Sequence, residues 1–252
     1  MEDLNFLDIL KDQVTPALGC TEPIAVALAV AKARETLGSF PDKIKIKVDR
    51  NIFKNALAVG IPGTKEKGLH MAVALALLAG KSEYGLEVLK DITSKDVLKA
   101  KEIIKRNIID VTIARNIVGL YVEVEAFSNL GKTKVIIKDK HDNIVIVQRN
   151  DQVIFKKAEA EQQQVSLIQS MKKMRIRDFV EFADRVDIKL LDLVEKGIKM
   201  NKKIAEAGMA SKYGKVLGNG LSVHDMDYKD YAKYLTSVAS FARMSGYPLP
   251  VM

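Results

Sequence analysis

An α+β fold is what this sequence predicts: very hydrophobic helices near the N-terminus, a central, mainly antiparallel β-meander, and a helical C-terminal part. Three observations predict it. The segments "EPIAVALAVAKARETLG" and "KGLHMAVALALLAG" are apolar on nearly every face, the mark of helices that need neighbours all round. Five short runs between residues 107 and 156, rich in Val, Ile, Thr and aromatics, are joined by connections that include "NLG" and "KHDN". Links so short and rich in turn formers pair neighbouring strands as antiparallel hairpins. Past residue 156 the alternation stops, and from Ile176 the apolar spacing is helical. The chain divides accordingly into an α/β part at 1–106, an antiparallel β part at 107–156 and a helical part at 157–252.

The elements follow in order. Leu4, Leu7, Ile9, Leu10 and Val14 form a helical stripe over about residues 3–14 that stops before Pro16. Thr21 is the expected N-cap of the next helix, with Pro23 in its first turn and Gly38 at its end. "DKIKIKVDR" alternates at period two and predicts a strand with one wet face. The stretch "NIFKNALAVGIPGT" reads as a structured loop, since its glycines and Pro62 break any regular pattern. A buried helix over "KGLHMAVALALLAG" follows, in which His70 reads as a satisfied core residue, and then a helix at about 94–106. "IIDVTIA", "LYVEVEAFS", "KTKVIIKD", "NIVIVQ" and "QVIFKK" are the strands of the meander. "AEAEQQQVSLIQSMKK" reads as a linker or exposed helix, followed by helices over "IRDFVEFADRV", about 188–210, and "YKDYAKYLTSVASFARM". His224, in "VHDMD", reads as part of an N-capping turn.

Composition narrows the function classes. At 252 residues, 48% of them hydrophobic, the chain can bury a real core as one large domain or two small ones. No apolar run reaches the roughly 18 residues of a membrane span, and the acidic start "MEDLNFLDIL" lacks a basic leader, so a cytoplasmic protein away from membranes is expected. The net charge of +8 raises nucleic acid as a partner, but lysines alternate with isoleucines in "KIKIKV" and with acids elsewhere, and there is no Trp. Scattered cations without a stacking platform predict solvated faces, so nucleic acid is not the expected partner.

One cysteine in the whole chain sits at position 20, inside "PALGCTEP". An internal disulfide is excluded, and the thiol is either inert packing or a reactive group. A thiol just before a helix N-cap faces the positive end of the helix dipole and unpaired N–H groups, which favour the thiolate and make Cys20 a candidate ligand or nucleophile. "GIPGT" at 60–64 puts glycines and a hydroxyl between an expected strand and a buried helix, where free amides could hold a carboxylate. His141 lies at an expected hairpin tip, open to solvent or ligand.

In combination, "PALGCTEPIAVALA", "NIFKNALAVGIPGT", "KDKHDNIV" and "ARMSGYPLPVM" resemble the iron–sulfur-dependent L-cysteine desulfidase family, related to the alpha part of iron–sulfur L-serine dehydratases. The resemblance runs from the first helix to the last residue. It implies a lyase in which a four-iron, four-sulfur cluster, held by cysteines with one iron open, acts as Lewis acid. L-cysteine (or L-serine) would undergo α,β-elimination through an aminoacrylate to pyruvate, ammonia and sulfide (or water). By position it implies Cys20 as a cluster ligand and places Thr21, Glu22, Asn55, Gly63, Thr64 and Asn143 around the substrate. Lys54 and His141 are both candidate bases, and the sequence does not choose between them. A cluster takes about three or four thiolates and this chain supplies one. The resemblance therefore implies the N-terminal portion of a family member, lacking a cysteine-bearing C-terminal segment and inactive alone. Its apolar helices would be left partly uncovered, to be closed by a homo-oligomer, the missing segment or a partner chain. The alternative is a non-catalytic or degenerate fragment acting as a binding or structural protein. A third reading makes Cys20 a nucleophile or redox thiol.

Overall fold

A computed structural model describes residues 6–157, 171–218 and 226–252. Its first half contains α1 (Phe6–Gln13), β1 (Ala17–Leu18), α2 (Thr21–Leu37), β2 (Lys43–Val48), α3 (Arg50–Ala56), α4 (Leu69–Ala79) and α5 (Ser94–Lys105). The meander follows as β3 (Ile109–Ile113), β4 (Tyr121–Ser128), β5 (Gly131–Lys138), β6 (Ile144–Arg149) and β7 (Gln152–Lys156). The last part holds α6 (Ile176–Arg185), α7 (Asp192–Ala210), α8 (Lys212–Gly218), α9 (Tyr228–Met244) and β8 (Pro250–Val251). The expected residues before Phe6, most of the 158–173 linker and His224 lie outside the described residues.

The fold is α+β, as the hydrophobic patterning predicts. Among the described residues, six strands form one mixed sheet in the order β3-β2-β4-β5-β6-β7. Every neighbouring pair is antiparallel except β2 and β3, which run parallel with Ile44 opposite Ile109. The alternation of "KIKIKV" has a direct physical result: Ile44, Ile46 and Val48 are fully buried against the helices while Lys43, Lys45 and Lys47 take the opposite face. Helix α2 packs across β4 and β5, and Thr133 Oγ1 on β5 donates to the Ala33 carbonyl at 3.0 Å, tying sheet to helix. On its other side α2 packs on α4, which in turn packs on α5. Small Ala side chains interleaved with Val and Leu let the two buried helices approach closely. Residues from Ile24 to Ala31 are at most 2% exposed, and Ala72 to Ala76 are fully buried. The expectation of uncovered surface on these two helices is thereby corrected, because the sheet and the neighbouring helices of the same chain enclose them.

Arg34 fixes this helix pair in a way the pattern does not reveal. Its guanidinium donates to the carbonyls of Ala76 and Leu77 at 3.1 Å and of Gly80 at 2.7 Å, adding donors at the end of α4, where the Ala76 carbonyl also accepts from the Gly80 N–H at 3.2 Å. Replacing Arg34 with alanine removes this donor from the carbonyls of buried Leu77 and Gly80. Urea unfolding is expected to show a loss of about 2–3 kcal/mol, in line with hydrogen bonds from a charged donor.

Three local readings are corrected. The first half of "NIFKNALAVGIPGT" is the helix α3, started by Asp49, whose Oδ1 accepts from the N–H of Asn51 at 2.8 Å and Ile52 at 3.1 Å. Its Oδ2 accepts from the Tyr121 N–H at 3.0 Å, anchoring α3 to β4. His70 is exposed on α4, where the helix turns one residue outward near its start. Thr21 is the first helical residue of α2, and the cap position belongs to Cys20.

The C-terminal part returns to the beginning of the chain. Helix α9 packs on α7 through Ile204, Val238 and Ala242, all at most 1% exposed. Asn201 of α7 clasps Met252 from both sides, its Nδ2 donating to the carbonyl at 2.8 Å and its Oδ1 accepting from the N–H at 3.1 Å. So held, β8 pairs antiparallel with β1, Ala17 opposite Val251 and Leu18 opposite Pro250. Among the described residues no helix is long and apolar enough to cross a membrane.

Candidate functional site

The pairing of β8 with β1 delivers the chain directly into Gly19 and Cys20. Gly19 has φ +80°, and a Cβ there would stand 2.4 Å from the Pro62 Cγ, so only glycine lets this turn lie against the 60–64 loop. That loop is clasped in turn by the end of α9: the Gly60 N–H donates to the Met244 carbonyl at 2.9 Å and the Gly63 N–H to the Gly246 carbonyl at 3.0 Å. "GCTEP", "GIPGT" and "ARMSGYP", far apart in sequence, thus meet at one place.

The amides of "GIPGT" are not free for a ligand, which corrects the expected cradle. Besides those two bonds, the Ile61 N–H donates to the Glu66 carbonyl at 2.9 Å and the Thr64 N–H to the Ile61 carbonyl at 3.1 Å. Thr64 Oγ1 also stays within the turn, donating to the Ile61 carbonyl at 2.8 Å and accepting from the Glu66 N–H at 3.0 Å. What precedes the loop is α3 and not a strand. Gly63 is exposed beside this turn.

The polar centre is Glu22, in the first turn of α2. Cys20 Sγ donates to its Oε2 at 2.7 Å, Thr21 Oγ1 lies 3.4 Å from the same oxygen, and Asn55 Nδ2 donates to Oε1 at 2.9 Å. Asn55 is carried to it by α3, whose start Asp49 fixes. Burial pushes the Glu22 carboxyl up, but hydrogen bonds from Cys20 and Asn55, the helix amides and the charge of His141 together leave it below its ordinary value. Glu22 is therefore ionised at neutral pH.

Cys20 responds in the opposite sense. It is 4% exposed, and burial first, then the hydrogen bond to Glu22 and that carboxylate's charge, push its thiol up to about 11 from 9.0. The helix dipole argument for a thiolate is corrected: the nearest full charge is negative and the thiol is its donor. Cys20 is closed off from solvent and stays protonated at neutral pH, which removes the reading of a fast nucleophile or redox thiol.

His141 sits in the turn between β5 and β6, half-buried, within electrostatic reach of Glu22, Asp142 and Asp49. Burial lowers its pKa below 6.5 against the pull of those three carboxylates, so the ring is neutral at pH 7. The turn is stiffened by Asn143, whose Nδ2 donates to the Lys138 carbonyl at 2.9 Å and whose Oδ1 accepts from Lys157 Nζ at 2.7 Å. Thr21, Lys140, His141 and Asn143 line an open groove of about 1160 Å³. Lys54 is exposed on α3 and makes no ion pair among the described residues.

Sequence reasoning passed over Arg243. It lies in the last turn of α9, just before the clasp, and its charge acts on the Cys20 thiol. The available signal was a cation at the end of a helix inside a quoted motif, followed at once by "SGYP".

Fold and site together define an α+β protein with a buried thiol hydrogen-bonded to a carboxylate, a neutral imidazole and a guanidinium drawn from three distant segments. Its sequence is similar to proteins named UPF0597. One from Clostridium tetani is 46% identical over 247 residues, covering 98% of this chain. One from Caldanaerobacter subterraneus subsp. tengcongensis is 47% identical over 246 residues, covering 97%. One from Parabacteroides distasonis is 37% identical over 255 residues, covering 98%. The chain spans 58% of the length of the first two and 59% of the third. No family model and no solved structure matches. The resemblance to the L-cysteine desulfidase family is corrected by these findings: relatives aligned over almost the whole chain carry the UPF0597 name, and none of these names links them to that family. The reading of the chain as the N-terminal portion of a desulfidase falls with it.

Proposed function

We propose that this site performs α,β-elimination on a small β-substituted amino acid, L-cysteine or L-serine, giving pyruvate, ammonia and sulfide or water. The observation that carries the reading is the convergence of Cys20, Glu22, Asn55 and His141, brought together from α2, α3 and the β5–β6 turn. Elimination needs a base at Cα, a counter-charge for the ammonium and an electrophile on the leaving group. A neutral His141 takes the Cα proton, and the released pair forms the Cα–Cβ double bond as the Cβ–sulfur or Cβ–oxygen bond breaks. Ionised Glu22, held by Asn55, faces the ammonium. The Cys20 thiol supplies the proton that accompanies the leaving group, and the proton taken up by His141 restores it. Water then hydrolyses the imino tautomer of the aminoacrylate to pyruvate and ammonia. Lys54 is the second candidate base, and its exposure makes it the weaker one.

The described residues do not form a cluster site by themselves. One buried thiol is committed to Glu22, and among the described residues no three His, Cys, Asp or Glu are grouped to hold a metal ion. A four-iron, four-sulfur cluster enters only as the alternative proposal that Cys20, deprotonated and no longer the proton donor, is one of its three or four thiolates, the rest coming from outside these residues; no step above runs through it. We place the reaction in the cytoplasm. Ile176, Val180 and Ile188 at the start of the C-terminal part are 84%, 51% and 81% exposed. That surface suits a homo-oligomer or a partner chain, which light scattering tells apart.

The test measures exchange of the Cα proton of L-serine and L-cysteine in D2O by NMR, together with pyruvate, before and after anaerobic reconstitution with iron and sulfide. Exchange is expected, and His141→Gln is expected to abolish it. Because burial lowers the His141 pKa, its basic form persists below pH 6.5, so the rate should hold through neutral pH and fall only on further acidification. A chain that binds these amino acids but exchanges no proton under any condition overturns the lyase. It would favour the second reading, a binding protein in which the protonated, buried Cys20 serves only to fix Glu22.

A further inference from the structure

We propose that Arg243 is the anchor for the α-carboxylate of the ligand at this site, which restricts the ligands to amino acids with a free carboxylate. The inference rests on the amino-acid reading above and adds a residue to it. Arg243 is half-buried at the end of α9, in the segment clasped to the 60–64 loop by the Gly60–Met244 and Gly63–Gly246 hydrogen bonds. The same loop receives Gly19 against Pro62, so the segments that carry Arg243 and Cys20 both meet this loop. Its charge is felt at the Cys20 sulfur.

Among the described residues the guanidinium makes no ion pair and no side-chain hydrogen bond. The contrast with Arg34 is direct, since that half-buried guanidinium is spent on three carbonyls. Five N–H donors on a partly desolvated fork are costly to leave unpaired, and a carboxylate matches them with two parallel hydrogen bonds. Charges at the junction are also complementary to a zwitterion: Glu22 and Arg243 are of opposite sign, one for the ammonium and one for the carboxylate. A role confined to the helix dipole would need only a positive charge in the last turn.

Calorimetric titration of the whole chain with L-serine and with ethanolamine, which is serine without its carboxylate, separates these roles. L-serine is expected to bind at least about tenfold more tightly than ethanolamine, the effect of a charge-assisted pair. Arg243→Gln should bring the two within about twofold of each other by weakening L-serine alone. Arg243→Lys keeps the helix-end charge and the fold while losing the fork, and should recover only part of the preference. If either folded variant keeps the full preference, the carboxylate anchor is wrong while the amino-acid reading stands. If the unaltered chain prefers neither compound, or binds neither, the amino-acid reading fails and takes the anchor with it.

Discussion

Gly60→Ala is expected to destabilise the chain by about 3 kcal/mol, at the upper end of what one added methyl costs in a filled space. A Cβ at this position would lie 2.5 Å from the Ser245 carbonyl carbon and 2.7 Å from both the Ser245 oxygen and the Gly246 nitrogen. All three are backbone atoms, so no side chain can swing away. The loop and the end of α9 must separate, and the Gly60–Met244 and Gly63–Gly246 hydrogen bonds go with the contact. Urea unfolding measures the stability. Alkylation of Cys20, a residue 4% exposed in the closed junction, measures the site and is expected to speed up when the junction opens. Unchanged stability together with an unchanged alkylation rate would show that the two segments are not clasped.

This junction also shows where sequence reading stops. The buried helices were legible because α2 and α4 carry apolar residues on every face, and the sheet was legible because "KIKIKV" and the meander alternate at period two. Alternation says which face of a strand is buried but not which strand lies beside it. So the parallel pairing of β3 with β2, reached through α3, α4 and α5, could not be read, whereas hairpin neighbours followed from short turns. Helix α3 was hidden by its length, seven residues in a stretch crowded with Asn and Gly, and the signal that starts it is one carboxylate, Asp49, bonding forward to Asn51 and Ile52.

The site was legible as a set of motifs and illegible as chemistry. Cys20, Asn55 and His141 were picked out, and the structure gathers them around Glu22. The charge state of the thiol was read wrongly because the dipole of a helix, equivalent to about half a charge, is a diffuse field, while Glu22 two residues on carries a full negative charge at hydrogen-bonding distance. Arg243 was missed since nothing local marks it. Its position matters only once Asn201 holds Met252 and β8 has brought the end of the chain back to β1.

Glu22→Gln is expected to move the Cys20 thiol from about 11 back toward its ordinary value of 9.0, leaving only the share due to burial. The glutamine oxygen can still accept from Asn55 Nδ2, so the loop geometry is kept, but the acceptor of the thiol proton and the neighbouring negative charge are both gone. The rate of Cys20 alkylation follows the thiolate fraction, so a drop of about one unit raises the rate at pH 8 about tenfold. The same shift appears in stability. A folded-state thiol pKa above the unfolded value contributes stability that is whole below pH 9.0 and is lost as pH rises through about 11. The unaltered chain should therefore lose stability across that window, and Glu22→Gln should flatten the loss. Glu22 itself runs the other way: with its carboxyl held below 4.5, its contribution is present above that pH and declines on acidification. Guanidinium unfolding at pH 8, 9.5 and 11 measures the first effect. A Cys20 alkylation profile that is identical in the two proteins would mean that burial alone holds the thiol, and that Glu22 is not the charge around which the site is built.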